Sequence, residues 1–397
     1  MTYKAAILKR NIEAILMSPF VGLGWLCAGF FRLKTNHRVF IFAPSADIGG
    51  SVKVNIDLCQ CLADLSPLVI FSKRPKNNQF LSLFEATGAR TIALHPYVDH
   101  KLYHFVNFFY RGVVASWIKR SDRPLVIGGE SLFFYKVLPH INRFAFTADV
   151  CHLNTWYNYT QAFVKDIDAR IFSSPQLKRD AEALYRNNRL PDYLYQRLHF
   201  IDNKVDIPDF SPKFNDTLQV VFVGRGAPQK RVPLIAAIAR SLHEKGVSIH
   251  FSFVGDVEKV IDPGQLPYCT FYGNVGDKDQ LQEIYKQSDI LLLTSAYEGL
   301  PIAVMEMMAF GKVIVSTAVG GIPDYIENGE RGFLIENYSD EARIITEAID
   351  LLLHLQERRD LLEKMGANCR TYAEAHFSGK VFCSSYRKVL LDASAEK

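Results

Sequence analysis

Alternating apolar runs and helical patterns predict an α/β protein with two parallel-sheet domains. Length supports the division, because 397 residues are more than one hydrophobic core of ordinary size organises. Composition supports a globular chain throughout: 48% hydrophobic and 22% charged residues leave no room for a long disordered part.

The elements follow in order. Residues 39–43, 68–71, 91–94, 125–127, 144–147, 169–172 and 199–201 read as strands of a first domain, with helical stretches between most of them. A second series begins at 219–223 and continues with 250–254, 290–293, 313–316 and 332–335. Amphipathic helices then fill 340–355, 358–376 and 379–393. The strand series divides the chain into an amino-terminal segment 1–38, a first domain 39–202 and a second domain 213–378. No repeat or low-complexity tract stands out. The cluster Lys73-Arg74-Pro75-Lys76 reads as a solvated turn or, less simply, a contact for an anionic acceptor.

Charge is concentrated at the start. Lys4, Lys9, Arg10, Arg32, Lys34 and Arg38 face Glu13 alone, which exceeds the whole chain's net +4 and leaves the rest near neutral. The remainder shows no basic surface interleaved with aromatics, so nucleic acid is not an expected partner. Between these cations, residues 14–31 hold no ionisable group except Cys27. Eighteen such residues fall just short of the ~20 of a spanning helix, and Pro19, Gly22, Gly24 and Gly29 weaken a straight span. Three readings stand: an interfacial anchor, which is preferred, a helix packed on the domain, and a true span. A secretory signal is not expected, because no small-x-small cleavage pattern is clear. The seven cysteines are scattered and odd in number, and they read as reduced, mostly buried thiols of a cytoplasmic protein.

The chemistry gathers in two stretches. Glu298 lies in a loop, and Glu306 lies eight positions on, inside a helix marked by Pro301, Ile302, Met305 and Ala309. Gly299 permits close backbone approach, and the open N–H groups of that helix's first turn offer a seat for phosphate. A plain buried acidic pair is the simpler alternative. Upstream, the strand at 219–223 is broken by Gly224, and Arg225 and Lys230 follow before the next helix. Two fixed cations at a strand-to-helix turn suit a departing diphosphate, which gains negative charge as it leaves. A dinucleotide fingerprint built on Gly224 and Gly226 fails at its third glycine, where Gln229 stands.

The set Gly224-Arg225…Lys230, Val254-Gly255-Asp256, Phe271-Tyr-Gly-Asn-Val275, Glu298…Glu306 and Thr317-Ala-Val-Gly-Gly321 resembles retaining glycosyltransferases of family 4, a branch of glycosyl transferases group 1. The resemblance implies the GT-B fold, two facing Rossmann-like domains with residues 203–212 as the link between them and a C-terminal crossover helix, 379–397, that returns to the first domain. It also implies metal-independent transfer of a sugar, of hexosyltransferase type, from a nucleotide diphosphate sugar with a UDP or GDP base. No cofactor or metal is expected beyond that donor. In the roles the family implies, Arg225 and Lys230 hold the diphosphate, Glu298 meets the donor sugar, and Glu306 accepts from ribose hydroxyls. Backbone at Gly224, Gly255, Gly299, Leu300 and Pro301 completes the donor contacts, and Asn274 and Val275 border the base.

In the first domain, Gly49 and Gly50 match a glycine pair that lies under the donor in related enzymes, with a plain tight turn as the alternative. His152 matches a cleft histidine near the sugar, where an imidazole hydrogen-bonds a hydroxyl or takes its proton. A structural histidine is nearly as good a reading. Trp156, Tyr157 and Tyr159 read as either a stacking wall for an acceptor or core. Departures from the family pattern are small: Asp324 stands where glutamate is common, and Val257 follows Asp256 where glycine is usual.

The expected function is synthesis of bacterial surface polysaccharide or lipopolysaccharide. The acceptor would be a glycan or a lipid-linked sugar, met at the cytoplasmic face of an anionic membrane. Two other functions share the donor site, a nucleotide-sugar epimerase and a non-catalytic binding subunit. A glycosidase fits poorly: on one helix, eight positions would separate the carboxylates by ~12 Å where hydrolysis needs ~5–9.5 Å, and with Glu298 in a loop it is the two cations that favour diphosphate departure over hydrolysis.

Overall fold

A computed structural model describes residues 2–31, 33, 36–100, 104–152, 157–209 and 213–392. Trp156 and the linker residues 210–212 lie outside them, as do Arg32 and Lys34 of the basic segment. The chain forms two compact units, residues 1–203 with 382–397, and residues 204–381.

In the first unit, strands β1 (Val39–Ala43), β2 (Leu68–Phe71), β3 (Arg90–Ala93), β4 (Leu125–Gly129), β5 (Phe146–Cys151), β6 (Ala169–Phe172) and β7 (Leu198–Phe200) form one parallel sheet, ordered β3-β2-β1-β4-β5-β6-β7. Helices α1 (Tyr3–Cys27), α2 (Gly50–Cys61), α3 (Leu81–Ala86), α4 (His95–Val98), α5 (His104–Lys119), α6 (Leu132–Val137), α7 (Tyr157–Thr160) and α8 (Pro175–Asn187) accompany it. Both faces are covered, which is why β1 is buried at every position. Val39, Ile41 and Ala43 enter one core cluster while Phe40 and Phe42 enter the other, the two-residue period of a pleated strand.

The second unit has β8 (Leu218–Val223), β9 (Ile249–Val254), β10 (Thr270–Gly273), β11 (Ile290–Leu293), β12 (Val313–Thr317) and β13 (Gly332–Ile335), ordered β10-β9-β8-β11-β12-β13. Its helices are α9 (Val232–Glu244), α10 (Lys278–Gln287), α11 (Ile302–Ala309), α12 (Glu341–Glu357), α13 (Arg359–His376) and α14 (Gly379–Arg387). Along α14 the chain returns to the first unit, where Phe382, Tyr386 and Leu390 join the core.

Three expectations need correction. The strand expected at 144–147 is shifted to Phe146–Cys151. Its Thr147 and Asp149 break the apolar pattern, but both are buried and paired, Thr147 with Asp168 and Asp149 with Tyr135 and Arg170. Strand β10 was not foreseen; it is short, half-buried at every position, and irregular in register between Phe271 and Gly273. The seven thiols are not all free. Cys61 and Cys383, 322 positions apart, are joined in a disulfide with a Cα–Cα distance of 5.2 Å. Spacing says nothing about such a pair, because it depends on the return of the chain, which Arg387 fixes by bonding Asp64 and the Cys61 carbonyl.

Candidate active site

In an open parallel sheet, ligands gather beyond the carboxyl ends of the strands where the strand order reverses. In the second unit that point lies between β8 and β11. The two stretches singled out in the sequence are the loops that leave those strands, Gly224–Arg231 and Thr294–Pro301.

Close backbone packing sets these loops. A Cβ on Gly255, whose φ is +119°, would lie 1.8 Å from the Gly224 carbonyl oxygen. One on Gly226 would lie 2.3 Å from the carbonyl oxygen of Asp256, whose carboxylate accepts from the Gly226 N–H at 2.8 Å. The second loop is held the same way: Gly320, with φ +60°, leaves no room for a Cβ against the Glu298 carbonyl, and Gly321 N–H donates to Gly299 at 3.0 Å. Thus the Thr317–Gly321 motif acts as a bed for Glu298 and Gly299. Thr317 reinforces it by donating to the Ser295 carbonyl at 2.7 Å.

The two loops are stitched together, and their functional side chains meet. Ala296 N–H donates to the Gln229 carbonyl at 2.8 Å, and Thr294 donates to the carbonyls of Lys230 and Arg231. The Lys230 ammonium lies 2.5 Å from Glu298 Oε1, with 12% and 7% of the two side chains exposed. Ser295 donates to the same oxygen at 2.6 Å, and Gln229 reaches Oε2 at 3.4 Å. An ammonium has three protons to donate, so this bond holds Lys230 in place and leaves two for an incoming anion. Arg225, by contrast, is exposed and its side chain makes no hydrogen bond or ion pair among the described residues.

Glu306 sits on α11 and stands apart from that pair. Its Oε2 accepts from the Tyr285 hydroxyl at 2.7 Å. Burial pushes its pKa up, Tyr285 opposes the rise, and Asp206 adds to it. Pro301 is not within the helix but caps it, with ψ 133° and no side-chain cap; its carbonyl accepts from Val304 N–H at 3.0 Å, and the N–H groups of Ile302 and Ala303 make no hydrogen bond among the described residues. Met305 and Ala309 are buried as expected, while Ile302 is 43% exposed. Asn274 is exposed and Val275 half-buried, just after β10.

In the first unit the reversal lies between β1 and β4. Gly49 precedes α2 in an extended conformation, and Gly50 is its first residue. Asp47 braces this turn. Burial works against its charge, but N–H groups of Asn77, Asn78 and Lys76 and the Ser45 hydroxyl hold its carboxyl well below the usual range. Of these donors Lys76 belongs to the 73–76 cluster, whose Arg74 N–H also donates to Asp99 at 2.9 Å. His152 follows β5; its buried Nε2 finds no partner among the described residues, and burial lowers its pKa to about 4. Tyr157 is core, donating to the Leu177 carbonyl, and Tyr159 packs on Tyr135 and Phe163.

Glu130 was missed in the sequence. It follows Gly128-Gly129 at the end of β4 with a left-handed φ of 61°. Burial raises its pKa, and the Ser51 hydroxyl on α2 and the His152 backbone N–H both donate to its carboxylate. A non-glycine residue held in that conformation at a strand end is a common mark of a functional position. The only sequence signal was an acid following two glycines.

The two α/β units have the GT-B fold of glycosyltransferases. Anabaena Alr3699/HepE, solved with UDP and glucose, superposes with a TM-score of 0.67 at 16% identity, over 89% of this chain and 99% of that one. Residues 203–371 match the family model of glycosyl transferases group 1. N-acetyl-alpha-D-glucosaminyl L-malate synthase of Bacillus anthracis is 31% identical over 118 residues, 30% of this chain and 30% of that protein. The putative colanic acid biosynthesis glycosyltransferase WcaL of Escherichia coli is 25% identical over 193 residues, 45% of this chain and 47% of its own. The chain therefore spans less than half the length of these curated relatives.

Proposed function

We propose that the protein transfers a glycosyl group from a nucleoside diphosphate sugar, UDP- or GDP-linked, to a glycan or lipid-linked acceptor. Transfer would be metal-independent and would retain the anomeric configuration, as in family 4. The observation that carries this is the Lys230–Glu298 pair at the strand-order reversal, with Arg225 beside it on the same loop. Those two cations supply the positive charge that a leaving diphosphate needs. The α11 N-terminus, with Gly299, Leu300 and Pro301 ahead of it, adds N–H donors for phosphate. Glu298 Oε2, bonded only weakly, would take a donor sugar hydroxyl. Glu306 would take ribose hydroxyls through its other oxygen, Oε1, and Asn274 and Val275 would border the base.

In the first unit, His152 is neutral near pH 7, since burial lowers its pKa to about 4. It would therefore accept or donate a hydrogen bond to a sugar hydroxyl without adding charge. Gly49 and Gly50 would offer backbone N–H groups beside it, and Glu130 would orient an acceptor hydroxyl. Synthesis of surface polysaccharide or lipopolysaccharide, at the cytoplasmic face of a membrane, is the process that fits; the likeness to WcaL supports it.

Incubation with UDP- and GDP-sugars tests the reaction. Release of nucleoside diphosphate that depends on an added glycan acceptor is the expected result. Isomerised donor without acceptor would instead identify an epimerase, and tight donor binding without turnover a binding subunit.

A further inference from the structure

Helix α1 is built the wrong way round for a helix on a water-soluble surface. Such a helix normally turns its apolar stripe to the protein and its polar one to solvent. Here the stripe facing the first unit carries, beside Ala6, Ile7, Val21 and Trp25, paired charges. Glu13 accepts from Arg111 at 3.0 Å and from Lys136 at 2.5 Å, and Arg10 pairs with Asp166 at 2.6 Å and donates to the Ala162 carbonyl. The opposite stripe is Leu8, Ile12, Ile15, Leu16, Leu23 and Leu26, exposed by 49 to 83%, with exposed Pro19 between Leu16 and Leu23. Phe30 beyond it is 89% exposed, and Phe105 at the start of α5 extends the patch.

Two features fix the helix lengthwise to its unit. At its crossing with α5 the backbones touch: a Cβ on Gly24 would lie 1.9 Å from the Phe109 carbonyl oxygen, and one on Gly112 2.0 Å from that of Val21. The ion pairs are the second. Were α1 to leave and span a bilayer, Arg111, with 7% of its side chain exposed, would lose its carboxylate. A buried charge stripped of its partner is strongly disfavoured. Around the stripe the charges are cationic: Lys4 and Lys9 are exposed on α1, and Lys119 lies over the Trp25 ring at 4.9 Å. Two copies meeting through this face would bring those cations together, whereas anionic headgroups complement them.

We propose that α1 is a fixed foot for an anionic lipid surface. It lies in the plane of the membrane, stays clamped to the first unit, and sinks its outward stripe among the acyl chains. This gives the membrane contact of the proposed function a defined surface and orientation. Its test uses no sugar donor, so its failure is separate from failure of the transfer assay.

The full chain is mixed with vesicles of phosphatidylglycerol and phosphatidylethanolamine and sedimented. Wild type is expected to bind, and Leu16→Asp with Leu23→Asp to lower the partition by about tenfold or more. Both positions are exposed, so the variant should melt at the wild-type temperature. Alkaline carbonate is expected to strip the wild-type protein from vesicles. Failure of wild type to bind, equal binding of the variant, or retention through carbonate would each overturn the proposal. So would a dimer, free of lipid, that the double substitution dissociates.

Discussion

Lys230 illustrates how much a single side chain is asked to do. Its ammonium bonds Glu298 while keeping protons for a diphosphate, so its loss removes both charge and the tether on Glu298. Lys230→Ala and Arg225→Ala are each expected to lower turnover by ~10²–10³-fold, the scale of one lost oxyanion donor. Arg225→Lys should recover only part, because the planar fork is lost. Unchanged rates in folded single variants would remove both from the chemistry. The two glutamates should part company. Glu298→Gln is expected to reduce the turnover number with little change in nucleotide affinity, and Glu306→Gln to weaken nucleotide binding. Isothermal titration with UDP and GDP, beside initial rates, separates the two; one shared phenotype would contradict the division. These residues were legible because their types are unusual at a strand-to-helix turn. Glu130 was not, since its left-handed backbone and its bonds from Ser51 and His152 arise only when three separate segments meet.

Among the elements, the central strands were legible because covering helices demand continuous apolar runs, as at Val39–Ala43 and Ile290–Leu293. Elements that depart from that rule were not. Strand β10 is half-buried throughout, and β5 and β6 hide Asp149 and Arg170 as a paired charge inside the sheet. The α1 stretch was legible as apolar, and packing on the domain was one of its three readings, but the side that docks was not legible, because it is the one bearing Arg10 and Glu13. Burial works against the Glu13 charge, yet Lys136 and Arg111 overcome it and hold its pKa below the usual carboxylate range. A depressed acid pKa contributes stability that is present above the unfolded value and lost as pH falls through the folded one. Docking of α1 should therefore loosen below the ordinary carboxylate range. Glu13→Ala, which leaves Arg111 and Lys136 facing each other unpaired, is expected to cost about 3 kcal/mol. Denaturant melts at pH 7 check this; a variant as stable as wild type would show that α1 is not clamped.

At the scale of the whole molecule, the resemblance implied that the chain returns to the first unit, but nothing in the sequence showed that the return is locked by a bond between Cys61 and Cys383. The disulfide should be visible chemically: unfolded without reductant, the protein should expose five titratable thiols rather than seven. Cys383→Ser is expected to lower stability by about 2–4 kcal/mol, read as a lower melting temperature that reductant does not change further. Seven thiols, or equal melting temperatures, would mean that Cys61 and Cys383 are not joined in solution.

The same return sets an order on synthesis. All seven strands of the first sheet have been synthesised by Phe200, but the helix that brings Phe382, Tyr386 and Leu390 follows the whole of residues 204–381. At ~5–20 residues per second, that interval lasts roughly 10 to 35 s. For that time the nascent first unit waits with part of its core open and Cys61 unpaired, while the second unit has all of its own strands and folds first. Cells making this protein therefore have to shelter one half-finished domain behind a finished one, and truncated chains ending near residue 381 should be the aggregation-prone products of translation.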